Sequence, residues 1–525
     1  MNRLTVKFIA VVWAVFMFAL PTAQAADIEL NDTCSLADAI TAANTDAVVG
    51  GCAAGEGADT ITLSSDITLD AALPQITTEI TIEGAGYTIS GDNRFRIFTV
   101  NGGGLTVNNL SITKGFADWG GAIANVNGGA LTVNNSTISK SEATEGGAVG
   151  NESTLVINSS EIISNLADVG GAIYISSGRV TLTACNVSYN YLKDNGEGGA
   201  IYLEGGTISI IDCTLTENTI SGRSWGINKG GAVFLESGRL MVDNSSFTRN
   251  SVNGNGGAIY NEEGDINIED SRFIENTARH GGTMYNNFSS EVSINTSTFK
   301  NNAALGSGGG IYNTWPYEIT ISNGTFDSNT AGNDGGAIYS SGKIEMTDST
   351  LISNSAGQSG GAIYTELLVT IVSSTMGGNS AGELGGGLYL HDSSEWSGAH
   401  SLTQVTVTHN SATSGGGIYK EGGAKASLIN SIIAGNEGGD CFGRIAENVA
   451  NFIADGSCFA TLSGDPMLGE LIEPEDGSPP YYPLQEGSPA IDAASRKWCP
   501  KTDIVGTRRP QGAGCDIGAY ELPAG

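Results

Sequence analysis

The sequence predicts an all-β chain wound as a single-stranded, right-handed parallel β-helix, and three observations carry that prediction. A Gly-Gly or equivalent pair followed by an apolar residue recurs twelve times, at steps of 24 to 32 residues. The apolar residues are Ile123, Val149, Ile173, Ile201, Val233, Ile259, Met284, Ile311, Ile338, Ile363, Leu388 and Ile418. An apolar-x-x-Asn marker follows within the repeat, as in Phe247 to Asn250, Phe273 to Asn276, Phe299 to Asn302 and Phe326 to Asn329. Between the markers apolar and polar residues alternate strictly, as in Leu131-Thr-Val133, Ile266-Asn-Ile268 and Ile319-Thr-Ile321. Alternation with period two is the pattern of a strand. Short strands bounded by Gly, Ser, Asn and Asp, with no helical stretch between them, make each repeat one coil. Leucine-rich repeats would show Leu-x-x-Leu-x-Leu, and a propeller blade needs about 40 residues.

In chain order, residues 1–25 read as a signal peptide. Arg3 and Lys7 form a basic start, and Phe8 to Leu20 is an apolar run too short to span a bilayer. Ala23-Gln24-Ala25 is a small-x-small site, so cleavage is expected before Ala26. Residues 26–60 are expected to form an N-terminal cap, with helical character over Ser35 to Asn44 (Leu36, Ala39, Ile40, Ala43). Residues 61–436 are the β-helix, its early coils to 115 lacking the Gly-Gly marker. Residues 437–525 break the period, hold four cysteines and most of the prolines, and read as a disulfide-bonded C-terminal cap. A solenoid needs such caps because an open strand edge recruits other strands.

Each repeated residue type has a physical task. The glycines suit a tight turn where side chains would clash between coils. The asparagines, at 165, 190, 218, 250, 276, 302, 329, 354, 379, 410 and 436, suit a bend where the side-chain amide bonds backbone and the next coil. The apolar column fills the interior. Twelve coils stacked ~4.8 Å apart make a rod of about 60 Å.

Charge and composition exclude several functions. The chain has 24 basic and 56 acidic residues, a net charge of −32, and −34 without Arg3 and Lys7. Such a surface repels nucleic acid and anionic membrane. After the signal peptide no stretch approaches 18 apolar residues, so no membrane span is expected. Glycine is abundant at 75 of 525 residues, but 40% apolar content rules out disorder. A monomer is expected.

Eight cysteines in an exported chain predict four disulfides. Cys34 with Cys52, Cys441 with Cys458, and Cys499 with Cys515 enclose short loops. Cys185 and Cys213 take the same place in consecutive repeats, each five residues before an Asn. Parallel stacking sets their Cα atoms ~4.8 Å apart, within disulfide range. The competing reading is two buried thiols in a column of small residues.

Three segments resemble known families. The Gly-Gly-Ala-Ile and Phe-x-x-Asn markers over residues 116 to 436 resemble polymorphic outer-membrane protein repeats. Cys34-Ser35-Leu36-Ala37-Asp38-Ala39-Ile40 resembles the CSLREA segment that opens many exported β-helix proteins. Residues 465 to 521 resemble the choice-of-anchor Q domain, through Asp465-Pro466, Tyr482-Pro483-Leu484, Ser488-Pro489-Ala490-Ile491-Asp492, Asp503-Ile504-Val505-Gly506, Arg508-Arg509-Pro510 and Asp516-Ile517-Gly518-Ala519-Tyr520-Glu521. The resemblance implies a bacterial, pectin-lyase-like β-helix that is secreted or held at the cell surface, and it implies no single reaction.

Candidate chemistry lies on outward columns. The residue after the apolar column is aromatic in ten coils: Tyr174, Tyr202, Phe234, Tyr260, Tyr285, Tyr312, Tyr339, Tyr364, Tyr389 and Tyr419. It reads either as a packing ladder or as a flat track for sugar rings. Glu204, Glu236 and Glu262 sit two residues further on in three consecutive coils, with Glu366 and Glu421 in the equivalent place later. Carboxylates ~5 Å apart match a retaining glycosidase pair, and alternate coils approach the inverting spacing. The same ladder suits Ca²⁺, and no other cofactor is implied. The long loop from Thr219 to Lys229 brings Arg223, Trp225 and Lys229 over it. The bland reading is a solvated acidic face. A second insertion gathers His391, Asp392, Trp396 and His400, types that bind metal, while His280 reads as a turn residue.

The leading expectation is a non-catalytic, adhesin-like β-helix, secreted or at the cell surface, offering a long face to extracellular polysaccharide or a surface protein. The alternative is a polysaccharide lyase or glycoside hydrolase on the same scaffold. An enzyme should converge Asp, Arg, Lys or His in one groove, whereas here the charges recur as columns.

Overall fold

The computed structural model describes residues 26–222, 228–288, 291–314, 317–391, 398–475 and 477–524, so the expected signal peptide lies outside the described residues. It is a right-handed-type parallel β-solenoid of about 14 turns. A typical coil runs through four strands: Ile259–Asn261, Asp265–Glu269, Arg272–Ile274 and Thr277–Ala278. Stacking them gives a 14-stranded aromatic sheet, a 17-stranded long sheet, a 16-stranded phenylalanine sheet and a 9-stranded short sheet. Every inter-coil strand pairing is parallel and in register, so equivalent residues form columns: Tyr260 lies beside Tyr285, Ile268 beside Ile294, and Phe273 beside Phe299.

Left-handed backbone turns the corners. Asp270 (φ 47) joins the long to the phenylalanine sheet, and Glu275 (φ 56) precedes the asparagine corner. At the fourth corner the two glycines do different work. Gly256 takes φ 72, and Gly257 lies so close to the next coil that a Cβ would stand 1.9 Å from the Gly282 carbonyl oxygen. Neither position admits a side chain.

Inside, Ile259, Ile266, Ile268 and Phe273 are buried. Phe247, Phe273, Phe299 and Phe326 stack with centroids 4.7 to 5.0 Å apart. The asparagine column is a continuous buried ladder. Asn302 accepts from the backbone N–H and the amide of Asn276 at 2.9 and 3.0 Å, and donates to the Phe273 carbonyl at 2.9 Å. At its last rung Asn436 donates to Asp440 instead. A second interior ladder runs through Asn261, Asn286, Asn313 and Ser340.

At the N-terminal end, Ser35 caps an α-helix, Leu36–Thr45, which buries Leu36, Ala39, Ile40, Ala42 and Ala43 on the first coil. The ladder already starts there: Asp27–Glu29 pairs with Asp59–Thr62, so coiling begins within the segment expected to be only a cap. At the other end Cys441–Phe442, Glu447–Val449 and Phe452–Ile453 extend three sheets beyond residue 436. Residues 441–464 close this end, tied by Cys441–Cys458.

The segment after 464 lies along the flank of the phenylalanine sheet. Thr350 Oγ1 donates to the Pro480 carbonyl at 2.6 Å, Ala519 N donates to Thr406 Oγ1 at 2.9 Å, and Ser495 N donates to the Asn430 side chain at 2.7 Å. Strands Thr350–Ile352, Thr375–Gly377, Thr406–Thr408 and Ile432–Ala434 are therefore buried on both faces. Their uncovered counterparts, such as Arg272–Ile274, bury only the inner one. The segment is held by Cys499–Cys515 and by a buried Arg509, which pairs with Glu521 at 3.2 Å and donates to the carbonyls of Asp516 and Gly518.

Cys34–Cys52 completes three disulfides, but the fourth expected pair is absent: Cys185 and Cys213 are buried free thiols. They occupy a serine column. Cys213 Sγ accepts from Cys185 N at 3.3 Å, as Ser245 Oγ accepts from Cys213 N at 2.9 Å. Each sulfur reaches along the axis toward the preceding coil, Cys213 to Cys185 N and Cys185 to the Ile157 carbonyl at 3.2 Å, so the thiols follow one another in the column.

Candidate functional site

The aromatic sheet presents the columns that the sequence singles out. Because parallel strands repeat at ~4.8 Å, a ring at the same place in each coil meets its neighbours face to face. Eleven rings, from Tyr174 to Phe442, stack with centroids 4.5 to 5.4 Å apart. Tyr202, Phe234, Tyr260 and Tyr389 are buried, and the other tyrosines from Tyr174 to Tyr419 are half-buried. The column is thus a packing ladder: within the stack each ring face lies on the next ring. Ahead of Tyr174 the column holds Gly150, where the Trp119 indole lies so close that a Cβ would stand 2.6 Å from it.

The glutamates are bonded to this ladder. Tyr174 donates to Glu204 at 2.7 Å, Tyr202 to Glu236, and Tyr339 to Glu366 at 2.5 Å, each pair offset by one coil. Burial, and then the hydrogen bond to Glu204, lift Tyr174 well above the usual phenol range; burial and the bond to Glu236 do the same for Tyr202. Burial and Tyr312 push Tyr285 up to about 12. These phenols stay protonated at neutral pH and are poor general bases.

The third row precedes the glycine pair and supplies Glu145, Glu197 and Lys229. Lys229 bonds Glu262 at 3.0 Å and Glu197 at 3.1 Å. It lies 5.2 and 5.0 Å from the centroids of Phe234 and Tyr260. Since those rings stack on each other, the amine sits at their shared edge. Burial opposes its charge, but the two glutamates outweigh it and raise its pKa. Burial and Glu204 hold Glu145 above the ordinary carboxylate range. Thus Glu204, Glu236, Glu262 and Lys229 do share a face, while Arg223 and Trp225 lie outside the described residues. Glu145 and Glu197 are new members, visible in the sequence only as the residues before each Gly pair.

In the second insertion the two histidines are neighbours with different partners, His400 Nε2 lying 3.4 Å from the His391 carbonyl oxygen. His391 pairs with Glu421 at 2.7 Å, whereas His400 is buried and held down to about 4 by burial. Asp392 and Trp396 lie outside the described residues. Among the described residues no three His, Cys, Asp or Glu side chains converge to hold a metal ion. His280 accepts from Ser307 N at 3.1 Å, a turn role. A mixed-charge hollow of about 300 Å³ does exist on the long sheet, between Arg239, Met241, Asp265, Asn267, Glu291 and Ser293, but Arg239 is already paired with Asp265 at 3.4 Å.

The matched stretches fall on this architecture. Four segments match the Chlamydia polymorphic membrane protein repeat. They are residues 244–262, 296–314, 323–341 and 348–366. Each starts at the left-handed corner before the phenylalanine sheet and runs through the Asn column and the Gly pair just past the aromatic ring. No curated protein and no solved structure matches the chain. Among the described residues no helix is long and apolar enough to cross a membrane.

Proposed function

We propose that this chain is a non-catalytic, adhesin-like β-helix, exported and displayed at the cell surface or secreted. The observation that carries the proposal is the pairing of the outward columns: rings lie on rings, tyrosines donate to glutamates, and Lys229 is held between Glu197 and Glu262. A catalytic acid–base pair needs groups left to meet a substrate, and these meet each other. The matched repeats support a surface role, because their family is described as membrane proteins. The resemblance of residues 465 to 521 to the choice-of-anchor Q domain supports the same setting.

The test is adhesion. The full chain on beads is offered arrays of extracellular saccharides and surface proteins. Saturable binding to at least one class is expected. Binding to neither would overturn the proposal.

A further inference from the structure

The stacked ladder leaves a ring face open at its C-terminal end. Among the described residues no ring follows Phe442 in the column. Phe442 stacks on Tyr419 at 4.7 Å and keeps 48% of its surface exposed, as expected for a ring covered on one face. Phe459 is 75% exposed. Both phenylalanines directly follow the cysteines of one bridge, Cys441–Cys458, whose Cα atoms are 5.8 Å apart. Asn448 fixes the short 3-10 helix Ser457–Phe459 at this tip by donating to the carbonyls of Cys458 and Phe459 at 2.9 and 3.1 Å. Arg444, two residues beyond Phe442, packs on the Phe459 ring at 5.9 Å and meets no carboxylate within ion-pairing distance among the described residues.

Resting on the adhesin-like reading, we propose that this tip binds a carboxylate-bearing sugar ring, the terminal residue of an acidic polysaccharide. A pyranose offers a flat face of C–H bonds the size of a phenyl ring, and Phe442 offers a matching bare face. Arg444 supplies a forked donor for the carboxylate. End-on recognition also reconciles an anionic ligand with a chain of net charge −32, because charges beyond ~8–10 Å along the rod are screened by physiological salt. A second copy of the chain is disfavoured at the tip itself, since tail-to-tail contact sets Arg444 against Arg444.

The test is calorimetry on the full chain with two probes, trigalacturonate and neutral galactotriose. Wild type should bind the uronate more tightly. Phe442→Ala should weaken that binding by about tenfold or more, the loss typical of a central aromatic contact. Arg444→Gln, at an exposed position away from the core, should reduce uronate affinity to that of the neutral trimer. Uronate binding unchanged in both variants would overturn the tip. So would a wild type that ignores both trimers but still adheres to a partner in the array, which leaves the adhesin-like reading standing; failure in both assays overturns both. A dimer dissolved by Phe442→Ala with saccharide affinity intact would reassign the tip to self-association.

Discussion

At the scale of single residues, this protein repeats a few side chains whose partners lie one coil away. The Asn302 side chain makes four hydrogen bonds to the coils around it, two of them accepted from Asn276. Asn302→Ala leaves buried donors on Asn276 without a partner and should cost about 2–4 kcal/mol in denaturant unfolding. A loss below half a kcal/mol would contradict the ladder. The cysteines show where residue-scale reading stops. Their spacing in sequence gives the right Cα separation, but the direction of each sulfur is decided by the backbone N–H of the preceding coil. Thiol titration of the unreduced, denatured chain should find two free thiols, and Cys213→Ser should leave stability nearly unchanged, because a hydroxyl fills that column elsewhere. No free thiol would mean that Cys185 and Cys213 are bridged.

At the scale of elements, the solenoid was legible because every coil repeats the same markers. Gly256-Gly257, Asn276 and Ile259 each recur, so a chance match at one coil is outvoted. The aromatic ladder even continues at Gly438-Gly439-Asp440-Cys441-Phe442, which keeps the motif but carries a disulfide cysteine in the isoleucine place, so it read as cap. The packing of residues 465–524 was not legible, since a segment with hardly any regular structure has no period to betray which face it covers. Its contact with the coils makes a pH-dependent prediction. Asp348 lies two residues from Thr350 in that contact, and burial and nearby Asp503 push it up to about 6 against the pull of Arg509. A carboxyl raised in the folded state binds its proton there first, so this contribution to stability grows as pH falls through 6 and levels off below the unfolded value near 4. His400, held down to about 4, works oppositely. The difference between wild type and Asp348→Asn isolates the carboxyl: the variant should be more stable at pH 7, and the gap should close by pH 4–5. A gap that does not change with pH would show that Asp348 is not buried against the segment.

At the scale of the whole molecule, stability in a stack of coils is local, because each coil touches only its neighbours. Removing residues 465–525 should therefore speed hydrogen exchange in the phenylalanine-sheet strands from Thr350 to Ala434, which it covers, and leave those from Thr137 to Ile274 unchanged. Uniform acceleration would mean that the rod unfolds as one unit. The same locality bears on function. The tyrosines, glutamates and Lys229 of the aromatic flank are paired with one another, and on the proposed reading they carry no reaction. The most direct measurement of that claim is product release by the full chain from a panel of extracellular polysaccharides, read as reducing ends and unsaturated uronates. No release is predicted from any member, for wild type and for Glu204→Gln/Glu236→Gln alike. Release by wild type that is lost in the double variant would contradict it.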